Sequence, residues 1–159
     1  MLKRLAAPAL LLAVSLIMSA QHPNGAGVNP PWTADQVLQT GDLAKMLAEK
    51  SAKPRVFHVG FEVLYKSKHI PGSTYAGPGS KDEGLQKLQE EVANTAKNTL
   101  IVLYCGCCPW NQCPNMQPAF RLLRSLGYTN IKVVEIPDNF AKDWVEKGYP
   151  VAGNTASSR

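Results

Sequence analysis

Leu100-Ile-Val-Leu-Tyr104 runs directly into Cys105-Gly-Cys-Cys-Pro-Trp110-Asn-Gln-Cys113-Pro-Asn115, and this stretch decides how the chain is read. Five apolar residues without alternation imply a strand buried on both faces, as in a parallel sheet. All four cysteines of the chain lie between positions 105 and 113. The stretch 115–125 reads as a helix with Phe120, Leu123 and Leu126 inward and Gly127 as its terminator. The cysteines therefore occupy a strand-to-helix turn. Backbone N–H groups converge at such a turn and the helix dipole favours an anion, so a thiolate at Cys105 is expected to be stabilised. Four sulfurs there point to sulfur transfer, redox chemistry or metal binding.

Outward from this stretch, strand and helix patterns alternate. Downstream, Ile131 to Val134 reads as a strand. Upstream, Arg55 to Val59 is a second strand with Phe57 and Val59 on one face. Two amphipathic helices are predicted: Gly41 to Lys50, with Leu43, Met46 and Leu47 at helical spacing, and Leu85 to Ala96, with Leu85, Leu88 and Val92 on one side. Glu62 and Lys66 are spaced to pair on a helix surface. No internal repeat is visible. The alternation predicts an α/β domain with a mostly parallel central sheet and helices on both faces. At 159 residues the chain is long enough for one domain with a full core.

The N-terminus has the anatomy of a secretory signal. Lys3 and Arg4 form its charged region, Leu5 to Met18 its apolar stretch, and Ser19 and Ala20 a small-residue exit. Positions 1–20 are read as a signal segment, 21–32 as a linker, 33–151 as the folded domain and 152–159 as a flexible tail. The expected location is periplasmic or secreted, with membrane attachment only if the N-terminal segment stays uncleaved. Export would place the cysteines in an oxidising compartment, where a thiol pairs unless it is kept reduced or persulfidated. The formal charge is +5, with Lys3 and Arg4 contributing two of those charges. Basic residues are scattered without interleaved aromatics, so no nucleic-acid partner is expected.

Taken in order, several segments resemble the rhodanese (sulfurtransferase) domain. His69-Ile-Pro-Gly-Ser73 matches that family's His-Ile-Pro-Gly turn. Ile101 to Cys105 matches its strand ending in the nucleophilic cysteine, and Leu122 to Glu135 its helix, Gly-Tyr turn and following strand. Trp144 to Val151 matches its closing Trp and Gly-Tyr-Pro segment. The resemblance spans about 33–151. It implies a rhodanese-like fold and a sulfurtransferase in which Cys105 carries sulfane sulfur as a persulfide. A small sulfur donor and a thiol acceptor are its partners, and no cofactor is required.

The chain departs from the family in two places. His58-Val59-Gly60 stands where the family usually carries Asp-Val-Arg. The active loop is also longer than usual and holds no Arg before Arg121, with Trp110 at the nominal Arg position. Backbone N–H groups from Gly106 to Asn111 are expected to form the anion cradle, without Pro109, which has none. Gly106, Cys107, Cys108, Trp110 and Asn111 are the expected substrate-binding set. Cys107, Cys108 and Cys113 are candidates for a disulfide or a resolving thiol, with Cys107 or Cys108 pairing to Cys113 as the plainest option. His58 is expected to be buried and hydrogen-bonded, and His69 to fasten its turn.

Two other readings stay open. Cys105-Gly-Cys-Cys108 is a C-x-x-C, which suits a thiol–disulfide oxidoreductase. Three or four thiolates in one loop also suit copper(I) or zinc, in a non-catalytic metal- or partner-binding module. A phosphatase is excluded, because the loop offers no Arg to hold phosphate.

Overall fold

A computed structural model describes residues 30–49 and 53–154. The expected signal segment lies outside the described residues, as do 21–29 of the linker and 155–159. Five strands form one sheet: β1 (Val37–Gln39), β2 (Arg55–His58), β3 (Thr74–Tyr75), β4 (Ile101–Tyr104) and β5 (Ile131–Glu135). Their order is β1-β5-β4-β2-β3, and every neighbouring pair is parallel. β4 is central and all four of its residues are buried. The unbroken apolar run has this outcome because a strand covered on both sides has no polar face to show.

Alternate residues of β4 feed two separate cores. Ile101 and Leu103 join Phe57, Val59, Leu88 and Phe120 on the face covered by α3 (Asp82–Val92) and α4 (Met116–Ser125). Val102 and Tyr104 join Leu43, Val56, Val134 and Trp144 on the other face, beneath α1 (Thr40–Ala48) and the C-terminal segment. Each such side chain, fully buried, contributes about 1.5–3 kcal/mol. Helices on both faces of a parallel sheet are the architecture expected from the sequence.

α4 stops as its glycine requires. Gly127 has φ +84°, a conformation that costs glycine nothing. The amides of Leu126, Gly127 and Tyr128 turn back onto the carbonyls of Leu122, Arg124 and Leu123. Trp144 is fully buried and donates from Nε1 to the Pro150 carbonyl at 2.8 Å, which ties the end of the domain to its core. Ala152 pairs with His69 through two backbone hydrogen bonds, and the Asn154 amide donates to the Lys66 carbonyl.

The strands β1 and β3 were not expected from the sequence, and α2 (Glu62–Ser67) was anticipated only as a helix surface for Glu62 and Lys66. α2 carries the Glu62–Lys66 pair at 2.9 Å. α3 starts at Asp82, three residues before the expected Leu85, because Asp82 and Glu83 suit the positive end of a helix. It ends at Val92 instead of Ala96, leaving Leu85 half-buried while Leu88 and Val92 fill the core. Among the described residues, no helix is long and apolar enough to cross a membrane.

Candidate active site

The four cysteines leave the sheet at the carboxyl end of β4, where ligands bind in open α/β sheets. Cys105 follows Tyr104 directly and is 3% exposed, while Cys107, Cys108 and Cys113 are half-buried. All four are free thiols. Gly106 turns the chain at φ +74° with its carbonyl accepting from the Phe140 amide at 3.1 Å. A Cβ there would stand 2.8 Å from the Phe140 Cβ, so glycine is needed for its torsion and for space. A second strap joins the Trp110 amide to the Pro137 carbonyl at 3.2 Å. The loop is thus held against the segment that follows β5.

The turn brings three sulfurs together. The Sγ atoms of Cys105, Cys107 and Cys113 all lie within 4.8 Å of one another. Cys105 donates to Cys107 at 3.2 Å, and Cys107 and Cys108 are 3.0 Å apart. Asn115, fully buried just before α4, donates from Nδ2 to Cys105 at 3.4 Å and to Cys107 at 3.7 Å. Its Oδ1 accepts from the Ser80 amide at 3.1 Å, which fixes the amide's orientation. Trp110 packs against Trp32 in a tilted arrangement with ring centroids 5.4 Å apart, and Trp32 also meets Phe120 edge-on. Trp32 and Trp110 pack against the core cluster that contains Cys105 and Phe120.

Charge in the cluster is divided unequally. Hydrogen bonding to Cys107 and Cys113 together with burial pushes the Cys105 thiol far up, so Cys105 holds its proton. Cys107 falls to about 5, chiefly because Cys105 donates to it. Cys113 is lowered as well, first by Cys105 and further by the amides of Asn115 and Met116 at the start of α4. Burial raises Cys108. The expectation of a resting thiolate on Cys105 is therefore revised. Cys105 is the proton holder, the anion belongs to Cys107, and Cys113 is shifted in the same direction as Cys107. The helix start serves Cys113 instead of Cys105. The expected amide cradle is also narrower, since the Trp110 N–H is spent on Pro137. Asn111 is exposed and outside the sulfur cluster.

Beyond the cysteines, a cleft of about 400 Å³ opens between α2 and the segment after β5. Cys105, Gly106 and Cys107 line it together with His58, Lys68 and Phe140. Gly60 borders the same sulfur, and a Cβ at that position would lie 2.9 Å from both Cys105 Sγ and His58 Cε1. Where the family usually carries Arg, this chain therefore has no room for a side chain unless Cys105 or His58 shifts. His58 is 2% exposed and its Nδ1 has no hydrogen-bond partner. Burial lowers its pKa to about 4, opposed by a hydrogen bond to the Cys105 backbone. The expectation of a buried, hydrogen-bonded histidine holds for only one of its ring nitrogens. His69 does fasten its turn: Nδ1 donates to the Tyr65 carbonyl at 2.7 Å, and its ring stacks on Tyr65. A second cleft, about 330 Å³ between α1 and Pro150, contains no cysteine.

Sequence reasoning singled out the cysteines, Gly106, Trp110 and the departure at Gly60 but missed Asn115 and Phe140 as members of the site. Asn115 could have been found as a polar residue at a helix start beside Pro114, a position that faces back toward the strand end.

Comparison with known proteins agrees with this geometry. Residues 39–136 match the rhodanese-like domain family, and the chain belongs to that family. This is a sulfurtransferase-type family. Among solved structures, the solution structure of the rhodanese-like domain of Anabaena sp. Alr3790 is 21% identical with a TM-score of 0.57. The alignment covers 78% of this chain and 83% of that one. BH2092 from Bacillus halodurans is 22% identical with a TM-score of 0.57, covering 73% of this chain and 75% of its own. Both share the fold. No curated protein matches the chain.

Proposed function

We propose that this protein is an exported sulfurtransferase that carries sulfane sulfur as a persulfide on Cys105. The observation that carries the reading is the position of Cys105. It follows the central strand of a rhodanese-like sheet, borders an open cleft and lies against Gly60, where any side chain would crowd its sulfur.

In the loading step, Cys105 passes its proton to the Cys107 thiolate, 3.2 Å away. The Cys105 thiolate then attacks the outer sulfur of a donor persulfide R–S–SH. The new S–S bond forms as the donor's own S–S bond breaks, and the donor leaves as a thiolate. An acceptor thiolate later attacks the same outer sulfur and returns Cys105 to the cluster. No external oxidant is needed, because the sulfane sulfur keeps its oxidation level throughout. Asn115 Nδ2 supports the sulfur anion at each stage. With no Arg in the loop, thiosulfate lacks a charge-assisted contact worth about 1.5–3 kcal/mol, roughly ten- to a hundredfold in transition-state binding. Comparing kcat/KM for a polysulfide and for thiosulfate tests this, and efficient thiosulfate turnover would contradict it.

A specific distance also favours a second reading as a dithiol oxidoreductase. Cys105 meets Cys107 at 3.2 Å, while Cys108, the other end of the C-x-x-C, also meets Cys107, at 3.0 Å. In that case Cys107, as the accessible thiolate, attacks a substrate disulfide and Cys105 resolves the mixed disulfide. Cys105→Ser would then accumulate a mixed disulfide at Cys107. A sulfur carrier would accumulate none.

A further inference from the structure

Three cysteine sulfurs converge on one point. Sulfurs held about 2.3 Å from a metal in a trigonal plane lie roughly 4 Å apart. The Sγ atoms of Cys105, Cys107 and Cys113 already fall within 4.8 Å of one another. Cys105 and Cys107, at 3.2 Å, need to separate only slightly.

The donor set selects the metal. Three thiolates with no carboxylate or imidazole in the group are a soft set, which favours copper(I) or zinc over hard cations. Structural zinc takes four protein ligands, and among the described residues only three converge here. Cys108 approaches Cys107 at 3.0 Å but lies outside the mutually close set. Behind the cluster a space too tight to admit water is lined by Cys108, Trp110, Met116, Val134 and Ile136 as well as by Cys105 and Cys113. That side offers no aqueous fourth ligand. The surrounding shell is also built. Asn115 donates to Cys105 and Cys107 while its own oxygen is fixed by the Ser80 amide, an arrangement that orients thiolate ligands.

We propose that Cys105, Cys107 and Cys113 form a three-coordinate site for a single copper(I) ion. Binding displaces the remaining thiol protons to solvent and changes no oxidation state. The site does not depend on the sulfur-transfer reading, but the two uses exclude each other, because both need the Cys105 sulfur.

The test is anaerobic titration of the reduced protein with copper(I) against a chromophoric chelator, with X-ray absorption on the loaded form. One copper per chain bound by three sulfurs is expected. Cys105→Ser, Cys107→Ser and Cys113→Ser should each weaken binding roughly a hundredfold or more, whereas Cys108→Ser should stay within about tenfold of wild type. Circular dichroism of each variant checks that it folds, and the wild-type absorption spectrum decides the coordination without any variant. Four sulfur ligands, equal dependence on Cys108, or no binding in competition with the chelator would overturn the proposal. Sulfane loading of the metal-free protein, read separately by mass, distinguishes failure of this site from failure of the sulfur-transfer reading.

Discussion

Tyr104 and Cys105 are consecutive at the end of β4 and point to opposite faces of the sheet, and the polar groups they gather differ in kind. Tyr104 is fully buried, and its hydroxyl accepts from the Ile70 amide at 3.2 Å and pairs with Ser73 Oγ at 3.0 Å. Burial raises its pKa, so it stays neutral. This is a satisfied network that clamps the His69-Ile-Pro-Gly-Ser73 turn to the central strand. On the other face Cys105 meets sulfurs that cannot all be satisfied at once. They share protons among themselves, and part of the cluster remains anionic. A buried polar group with fixed partners gives rigidity, while one with exchangeable partners remains reactive.

The largest expected effect that would sharpen this contrast lies in acid. His58 sits on the tyrosine side, with its ring against Tyr65, Tyr75 and Tyr104. Its folded pKa, about 4, is below the ordinary 6.5, so the unfolded chain binds the proton first. Stability is therefore fully present above pH 6.5 and is lost as pH falls toward 4. The loss amounts to roughly 3 kcal/mol by linkage. Urea unfolding across that range should show it in wild type and not in His58→Phe. An equal acid loss in both would place the titration elsewhere.

A smaller effect is expected at Tyr104. Tyr104→Phe leaves the Ile70 amide and the Ser73 hydroxyl without their buried partner and should cost about 1–3 kcal/mol. Alkylation of the cysteines should proceed at the wild-type rate. A changed thiol reactivity would show that the two faces are coupled.

On the sulfur side, alkylation of Cys107 should be nearly independent of pH from 6 to 9 and fall only near its pKa of about 5. An ordinary thiol would still be accelerating near its reference pKa of about 8.5. Asn115→Ala should shift this profile upward by less than one pH unit, since one weak donor is lost. An unchanged profile would remove Asn115 from the site.

The two faces also differ in how much of them could be read from sequence. β4 was legible because its burial on both sides leaves an unbroken apolar run, and α4 because Gly127 marks its end. β1 was not, since Val37–Gln39 passes into α1 without a break. β3 has only two residues, too few for any period. α2 buries none of its residues, and Val63 is 72% exposed, so its pattern never points to a core. The cysteines were legible as a cluster, but the location of the charge was not. That depends on which sulfur is covered and on Asn115 reaching back from the start of α4. Neither the covering nor the reach follows from sequence spacing.

The central claim, that Cys105 carries the sulfur, is tested most directly by intact-mass measurement after polysulfide treatment, with peptide mapping of the modified cysteine. Wild type should gain the mass of one sulfur atom on Cys105, reversibly with reductant. Cys105→Ser should gain none, while Cys113→Ser should still load, because a hydroxyl cannot hold sulfane sulfur and only Cys105 is asked to. Undiminished loading of Cys105→Ser, or a wild-type protein that never acquires sulfur from any persulfide donor, would contradict the account.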